Sequence, residues 1–159
     1  GMPGCGKSTV GRELAKRLDL RFVDVDEEIV RAAGMSIPAL FEAGGEPLFR
    51  EWERRVTADV GKTGGAVIAT GGGVVTQRRN YAPLSQNGKL VFIHRDLDKL
   101  PTSGRPLSQT NKLKDMYAYR LPLYRSFADV EVDNNGAPDE TIDAILHALG
   151  YMEAEGRNT

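Results

Sequence analysis

Apolar positions near the start of the chain recur at helical spacing: Val10, Leu14, Ala15 and Leu18 fall on one face, which predicts a helix from about Lys7 to Leu18. The pattern then changes, and "LRFVDVD" reads as a short strand. "AVIAT" (Ala66 to Thr70) and "KLVFIH" (Lys89 to His94) are continuous apolar runs of the kind buried in parallel sheets, and "VEVD" (Val130 to Asp133) is a weaker fourth. Helical spacing returns over Glu46 to Gly61, Lys112 to Phe127 and Ala137 to Leu149, the last marked by Ile142, Ile145, Leu146 and Leu149. Strands alternating with helices predict an α/β fold built on a parallel sheet.

Two segments interrupt that alternation. Residues 34–60 hold more chain than a simple crossover needs; within them "GMSIPALFEAGGEPLFREWERR" packs two helical stretches and reads as a substrate-binding flap. Residues 100–112, "LPTSGRPLSQTNK", are rich in Pro, Gly, Ser and Thr and lack periodicity, which predicts a mobile surface loop able to act as a lid. The polar stretch 151–159 is expected to fray. At 159 residues the chain has room for one domain, taken as 1–150.

Charge and composition narrow the function classes. A formal net charge of -1 offers no global basic field, so neither nucleic acid nor a membrane surface is expected as a partner, and anion recognition has to be local. No apolar run approaches a membrane span and no signal-peptide pattern opens the chain, from which a cytoplasmic location is expected. The one cysteine, Cys5, cannot close an internal disulfide, consistent with a reducing compartment.

Local anion recognition has a clear candidate in "GMPGCGKST". Gly1, four residues, then Gly6-Lys7-Ser8 satisfies the phosphate-loop pattern, and a helix follows at once. Glycines let successive backbone N–H groups curl around phosphate oxygens, and the helix N-terminus adds its positive end. Gly4, Cys5, Gly6, Lys7, Ser8 and Thr9 would form the ATP site, with Lys7 on the outer phosphates and Ser8 on Mg²⁺. Within that loop Cys5 is expected to offer its backbone rather than redox chemistry.

Asp24 and Asp26 follow at the end of the first predicted strand, the edge where open parallel sheets bind ligands. Period-two spacing would point both carboxylates one way, one toward metal-bound water and the other toward a substrate hydroxyl; the structural alternative makes Asp26 the cap of the next helix. The three glycines of "TGGGVV" suggest backbone approached closely by a ligand. In the helix from Glu46, Phe49, Trp52 and Val56 form a core stripe, and Arg50, Glu53 and Thr57 share a neighbouring face. By residue type alone, Arg50 and Arg120 would both be solvated surface arginines.

Taken in order, the phosphate loop, "DVD", "LFREWE", "TGGG", "GRPL" and "YRLPLY" resemble the shikimate kinase family of small phosphate-loop kinases over nearly the whole chain. The resemblance implies a three-layer fold with a central parallel sheet, helices on both faces, a small substrate-binding insertion and a lid. It implies ATP-dependent phosphorylation of a shikimate hydroxyl to give shikimate 3-phosphate and ADP, in chorismate and aromatic amino-acid biosynthesis, with Mg²⁺ as cofactor and a monomer as the acting species. Carried over residue by residue, Lys7, Asp26 and Arg105 would be catalytic, and Ser8 and Asp24 would serve Mg²⁺. Asp26, Arg50, Gly72 and Arg120 would bind shikimate, the two arginines holding its carboxylate, and Arg105 would reach the ATP phosphates. A planar guanidinium suits a carboxylate, so the physical chemistry agrees.

The lid segment lacks the further arginine that many members place before Arg-Pro-Leu, and "DNNGAP" offers no basic residue after the last strand, so no adenine contact is carried over. Two other functions share the phosphate loop: a kinase for gluconate or a nucleoside monophosphate, and a nucleotide-binding module without catalysis. Arg50, the triple glycine and Arg120 together argue against the first; intact Lys7, Asp26 and Arg105 argue against the second. The loop also opens the sequence with no strand before it, whereas the resemblance places a central strand there. We therefore expect a short apolar strand ahead of Gly1 in the natural gene product.

Overall fold

The computed structural model describes residues 1–101 and 107–151. Among the described residues the order is α1 (Lys7–Arg17), β1 (Arg21–Asp24), α2 (Val25–Ala33), α3 (Ile37–Val60), β2 (Ala66–Ala69), α4 (Tyr81–Ser85), β3 (Val91–His94), α5 (Leu107–Phe127), β4 (Val130–Asp133) and α6 (Pro138–Ala148), with three short 3-10 turns between β2 and α5. The expected α/β alternation is present. The described strands make two parallel pairs, β1 with β2 and β3 with β4, and none precedes α1. No helix among the described residues is long and apolar enough to cross a membrane.

The described residues gather into two compact units: Gly11–Gly88, and Gly1–Val10 together with the residues from Lys89 onward. In the first, Arg21 pairs with Ala66 and Asp24 with Ala69. Its core is Val25, Ile29, Leu40, Phe49 and Val56, contributed by α2 and α3. Fully burying an Ile or Leu such as Ile29 or Leu40 contributes about 1.5–3 kcal/mol each. In the second unit, Val91 pairs with Val130 and His94 with Asp133, and α6 lies against β4 with Ile142 and Ile145 buried.

Two boundaries differ from the sequence expectation, and a third agrees with it. The first strand stops at Asp24 instead of running to Asp26, because the Asp24 carboxylate accepts the backbone N–H groups of Asp26 and Glu27 and starts α2 there. The two helical stretches expected within residues 34–60 are present: α3 begins at Ile37, capped by Ser36, and breaks at Gly45, whose φ of 66° only glycine adopts freely, so its second segment starts at Glu46 as expected; Pro47 falls in the first turn of that segment, where a missing N–H costs least. α5 begins at Leu107, so residues 107–112 of the expected lid loop are helical, in keeping with the absence of Gly and Pro from that stretch. The remainder of the lid's Pro/Gly-rich centre, residues 102–106, and the tail from residue 152 lie outside the described residues.

Candidate active site

The phosphate loop bends through Gly4 and Gly6, at φ of 78° and 100°. That region costs a side-chain-bearing residue about 1–2 kcal/mol, which accounts for glycine at both places. The Cys5 N–H bonds the Met2 carbonyl at 3.2 Å, and Val10 N–H bonds the Gly6 carbonyl at 2.9 Å, so the loop closes on itself and passes directly into α1. Lys7, at the start of that helix, donates to the Gly1 and Met2 carbonyls, each at 2.9 Å. Its ammonium therefore lies across the loop's own carbonyls. Ser8 and Thr9 occupy the exposed first turn, which carries no acidic residue to oppose an incoming anion. Cys5 is buried and free of disulfide.

Arg120, on α5, belongs to the same unit as this loop and is about nine-tenths buried, at 9% exposure. Among the described residues its guanidinium has no ion pair. Burial contradicts the surface role that base rates assign. A charge held out of water without a counter-ion is costly, by several kcal/mol, and such a group favours an arriving anion.

The other unit gathers Asp26, Arg50, Glu53 and the triple glycine. Arg50 Nη1 donates to Glu53 Oε1 at 2.7 Å and Nε to Glu46 Oε1 at 3.2 Å, with the arginine side chain only 13% exposed and that of Glu53 1%. Burial works against the guanidinium's charge, but the hydrogen bonds and charges of Glu53 and then Glu46 outweigh it, and the arginine's pKa rises above its ordinary value. Arg50 thus stays a cation under all relevant conditions. It also lies over the Phe49 ring at 5.2 Å.

The glycines fit around these groups. A Cβ on Gly71 would stand 2.8 Å from Glu53 Oε2 and 3.5 Å from Asp26 Oδ1, and one on Gly73 would overlap both terminal nitrogens of Arg50. None of Gly71, Gly72 and Gly73 has a positive φ. At Gly71 and Gly73 glycine is therefore a matter of space, set by Glu53, Asp26 and Arg50. Gly72 stands in the turn that the Val74 N–H closes onto the Gly71 carbonyl at 3.2 Å.

Asp26 sits in the first turn of α2, not on a strand, and the cap is Asp24. The period-two argument for the pair thus fails, although both remain at the C-terminal end of β1. Glu53 is the residue that sequence reasoning noted only as a face neighbour. Its spacing three residues after Arg50 was the available signal, but Glu46 offers an equally good one, and burial alone separates them. Arg105 lies outside the described residues.

Known proteins are similar to this chain over most of its length. The family model described as Shikimate kinase matches residues 3–150. The shikimate kinase of Stenotrophomonas maltophilia (strain K279a) is 42% identical over 158 residues, covering 94% of this chain and 87% of its own. That of Nitrobacter winogradskyi is 44% identical over 151 residues, covering 89% and 70% respectively. The solved structure of shikimate kinase from Acinetobacter baumannii in complex with shikimate is similar with a TM-score of 0.85 and 35% identity, covering 95% of this chain and 90% of that one. With the family model matched over residues 3–150 and relatives this similar along most of their length, this chain belongs to the shikimate kinase family.

Proposed function

We propose that this chain transfers the γ-phosphoryl group of ATP to a hydroxyl of shikimate, giving shikimate 3-phosphate and ADP, through the residues carried over above. The observation that carries the residue assignment is Arg120: a buried guanidinium with no ion pair among the described residues suits a substrate carboxylate. Arg50, already oriented by Glu53, would take the same carboxylate with its rigid fork. Asp26 would accept a hydrogen bond from the attacking hydroxyl and take its proton, with the Gly72 backbone against the ring hydroxyls.

The loop from Gly4 to Thr9 would hold the ATP phosphates, with Lys7 leaving its loop carbonyls for the transferred group and Arg105 joining it. Mg²⁺ is the implied cofactor, and the donor set fits it: the Ser8 hydroxyl and the Asp24 carboxylate are hard oxygens, of the one or two that Mg²⁺ takes from a protein. Held there, Mg²⁺ would neutralise charge on the β- and γ-phosphate oxygens. The lid would exclude water around the reacting groups. The reading carries with it a cytoplasmic monomer as the acting species.

The test is ADP release from MgATP with shikimate, gluconate or a nucleoside monophosphate offered in turn. Shikimate alone should stimulate it. Arg120→Ala should raise KM for shikimate by about 10- to 100-fold, the worth of one charge-assisted hydrogen bond, with KM for ATP little changed. Stimulation by another acceptor and none by shikimate would overturn the reading.

A further inference from the structure

The segment after β4 carries no basic residue, yet it reaches the phosphate loop. Asn134, 3% exposed, donates from Nδ2 to the Cys5 carbonyl at 2.7 Å. That carbonyl can only accept, so the nitrogen of the amide faces it and the oxygen faces away. The oxygen in turn receives the Thr141 hydroxyl at 2.7 Å, from the first turns of α6. Thr141 is itself buried, at 2% exposure, and its other neighbour, the Asp133 carbonyl, lies farther off at 3.2 Å.

The backbone of Asn134 is held as firmly as its side chain. Its N–H bonds the His94 carbonyl at 2.7 Å, and its carbonyl accepts Arg95 Nη1 at 3.2 Å. An amide anchored at N–H, C=O and Oδ1 has one direction left for Nδ2, and Cys5 stands in it. The space is filled as well: a Cβ on Gly6 would stand 2.6 Å from Asn134 Nδ2. Gly6 is thus required twice, once by its φ of 100° and once by the amide beside it.

From this network we infer that Asn134 is a positioning residue for the phosphate loop, with Thr141 setting its amide. The physical step is the planar trans peptide between Cys5 and Gly6. Its C=O and N–H point in opposite directions, so fixing the Cys5 carbonyl on the buried amide turns the Gly6 N–H away from Asn134 and holds it there. Backbone N–H groups bind phosphate only when several converge, and a loop whose peptides could flip would have to order them on each binding event. Asn134 removes that freedom at one peptide in advance, without touching the nucleotide. The inference rests on the proposed role of this loop in holding the ATP phosphates.

Steady-state kinetics on the full chain test it. Asn134→Asp keeps the shape and replaces the donor with an oxygen facing the Cys5 carbonyl; KM for ATP should rise about tenfold while KM for shikimate stays within twofold. Thr141→Val removes only the hydroxyl that orients the amide and should raise KM for ATP about threefold; Thr141→Ser restores the hydroxyl and should return it to the wild-type value. Should Asn134→Asp fail to fold, the Val and Ser variants at 141 carry the comparison. Unchanged KM for ATP in folded Thr141→Val and Asn134→Asp proteins would overturn the inference while leaving the proposed function standing, as would KM values for ATP and shikimate that rise together. A wild-type chain with no ATP-dependent activity would overturn both.

Discussion

Gly73 illustrates how a residue without a side chain controls one with a long one. Its φ of -96° lies where any residue is comfortable, so its backbone does not ask for glycine. Space does: a Cβ there would sit 2.6 Å from Arg50 Cζ and closer still to the terminal nitrogens. The guanidinium is the free end of a flexible chain and can swing aside, so Gly73→Ala should leave the fold intact but break the 2.7 Å bond to Glu53. The buried Glu53 carboxylate would then lose the Arg50 guanidinium. The expected result is a KM for shikimate raised about tenfold or more, against a fall in Tm of only a few degrees. Kinetics and thermal melts on the same preparation check it, and an unaltered KM would show that the position of Arg50 does not matter to the substrate.

At the scale of the element, α3 repeats one spacing with two outcomes. Glu53 pairs with Arg50 out of water, whereas Glu51, 40% exposed, pairs with Arg54 at 2.7 Å and Arg55 at 3.0 Å on the outer face. Hydrogen bonds from Arg54 and then Arg55 lower the Glu51 carboxyl from 4.5 to about 2. A carboxyl depressed by folding contributes stability that is present above its unfolded pKa of 4.5 and lost as pH falls from there toward 2. Since the group is exposed, the contribution is small and screened by salt. Glu51→Gln should therefore cost a little stability at pH 7, flatten the loss between pH 4.5 and 2, and match the wild type in about 1 M salt, all readable by urea denaturation. The spacing of these pairs was visible in the sequence, but which pair is buried was not, because i,i+3 geometry is the same on every face of a helix. Other limits had the same local origin. A strand of four residues is too short for period-two reasoning to tell Asp24 from Asp26, and the polar residues after Leu107 offer no apolar periodicity to announce the helix that begins there.

For the whole molecule, alternation of apolar runs with helical faces sufficed to predict the α/β class, and all four predicted strand sites hold strands. Pairing was another matter, because strand partners are chosen by long-range packing that no local run encodes. The same holds for Arg50 and Arg120, which lie in separate compact units and gain their proposed common role only through the substrate. That both serve one shikimate carboxylate is a statement about coupling, and a double-mutant cycle measures coupling without reference to distance. Each Arg→Ala change alone should raise KM for shikimate. With one arginine gone the carboxylate is less well ordered, so losing the second should cost less than it does in the intact enzyme. The shortfall from additivity should be about 1 kcal/mol, roughly fivefold in KM, whereas independent sites add to within about 0.5 kcal/mol. Shikimate methyl ester supplies the control, because it lacks the charge both residues would bind, and on it both single penalties should shrink. Penalties that add, and that persist on the ester, would mean that the two arginines do different work.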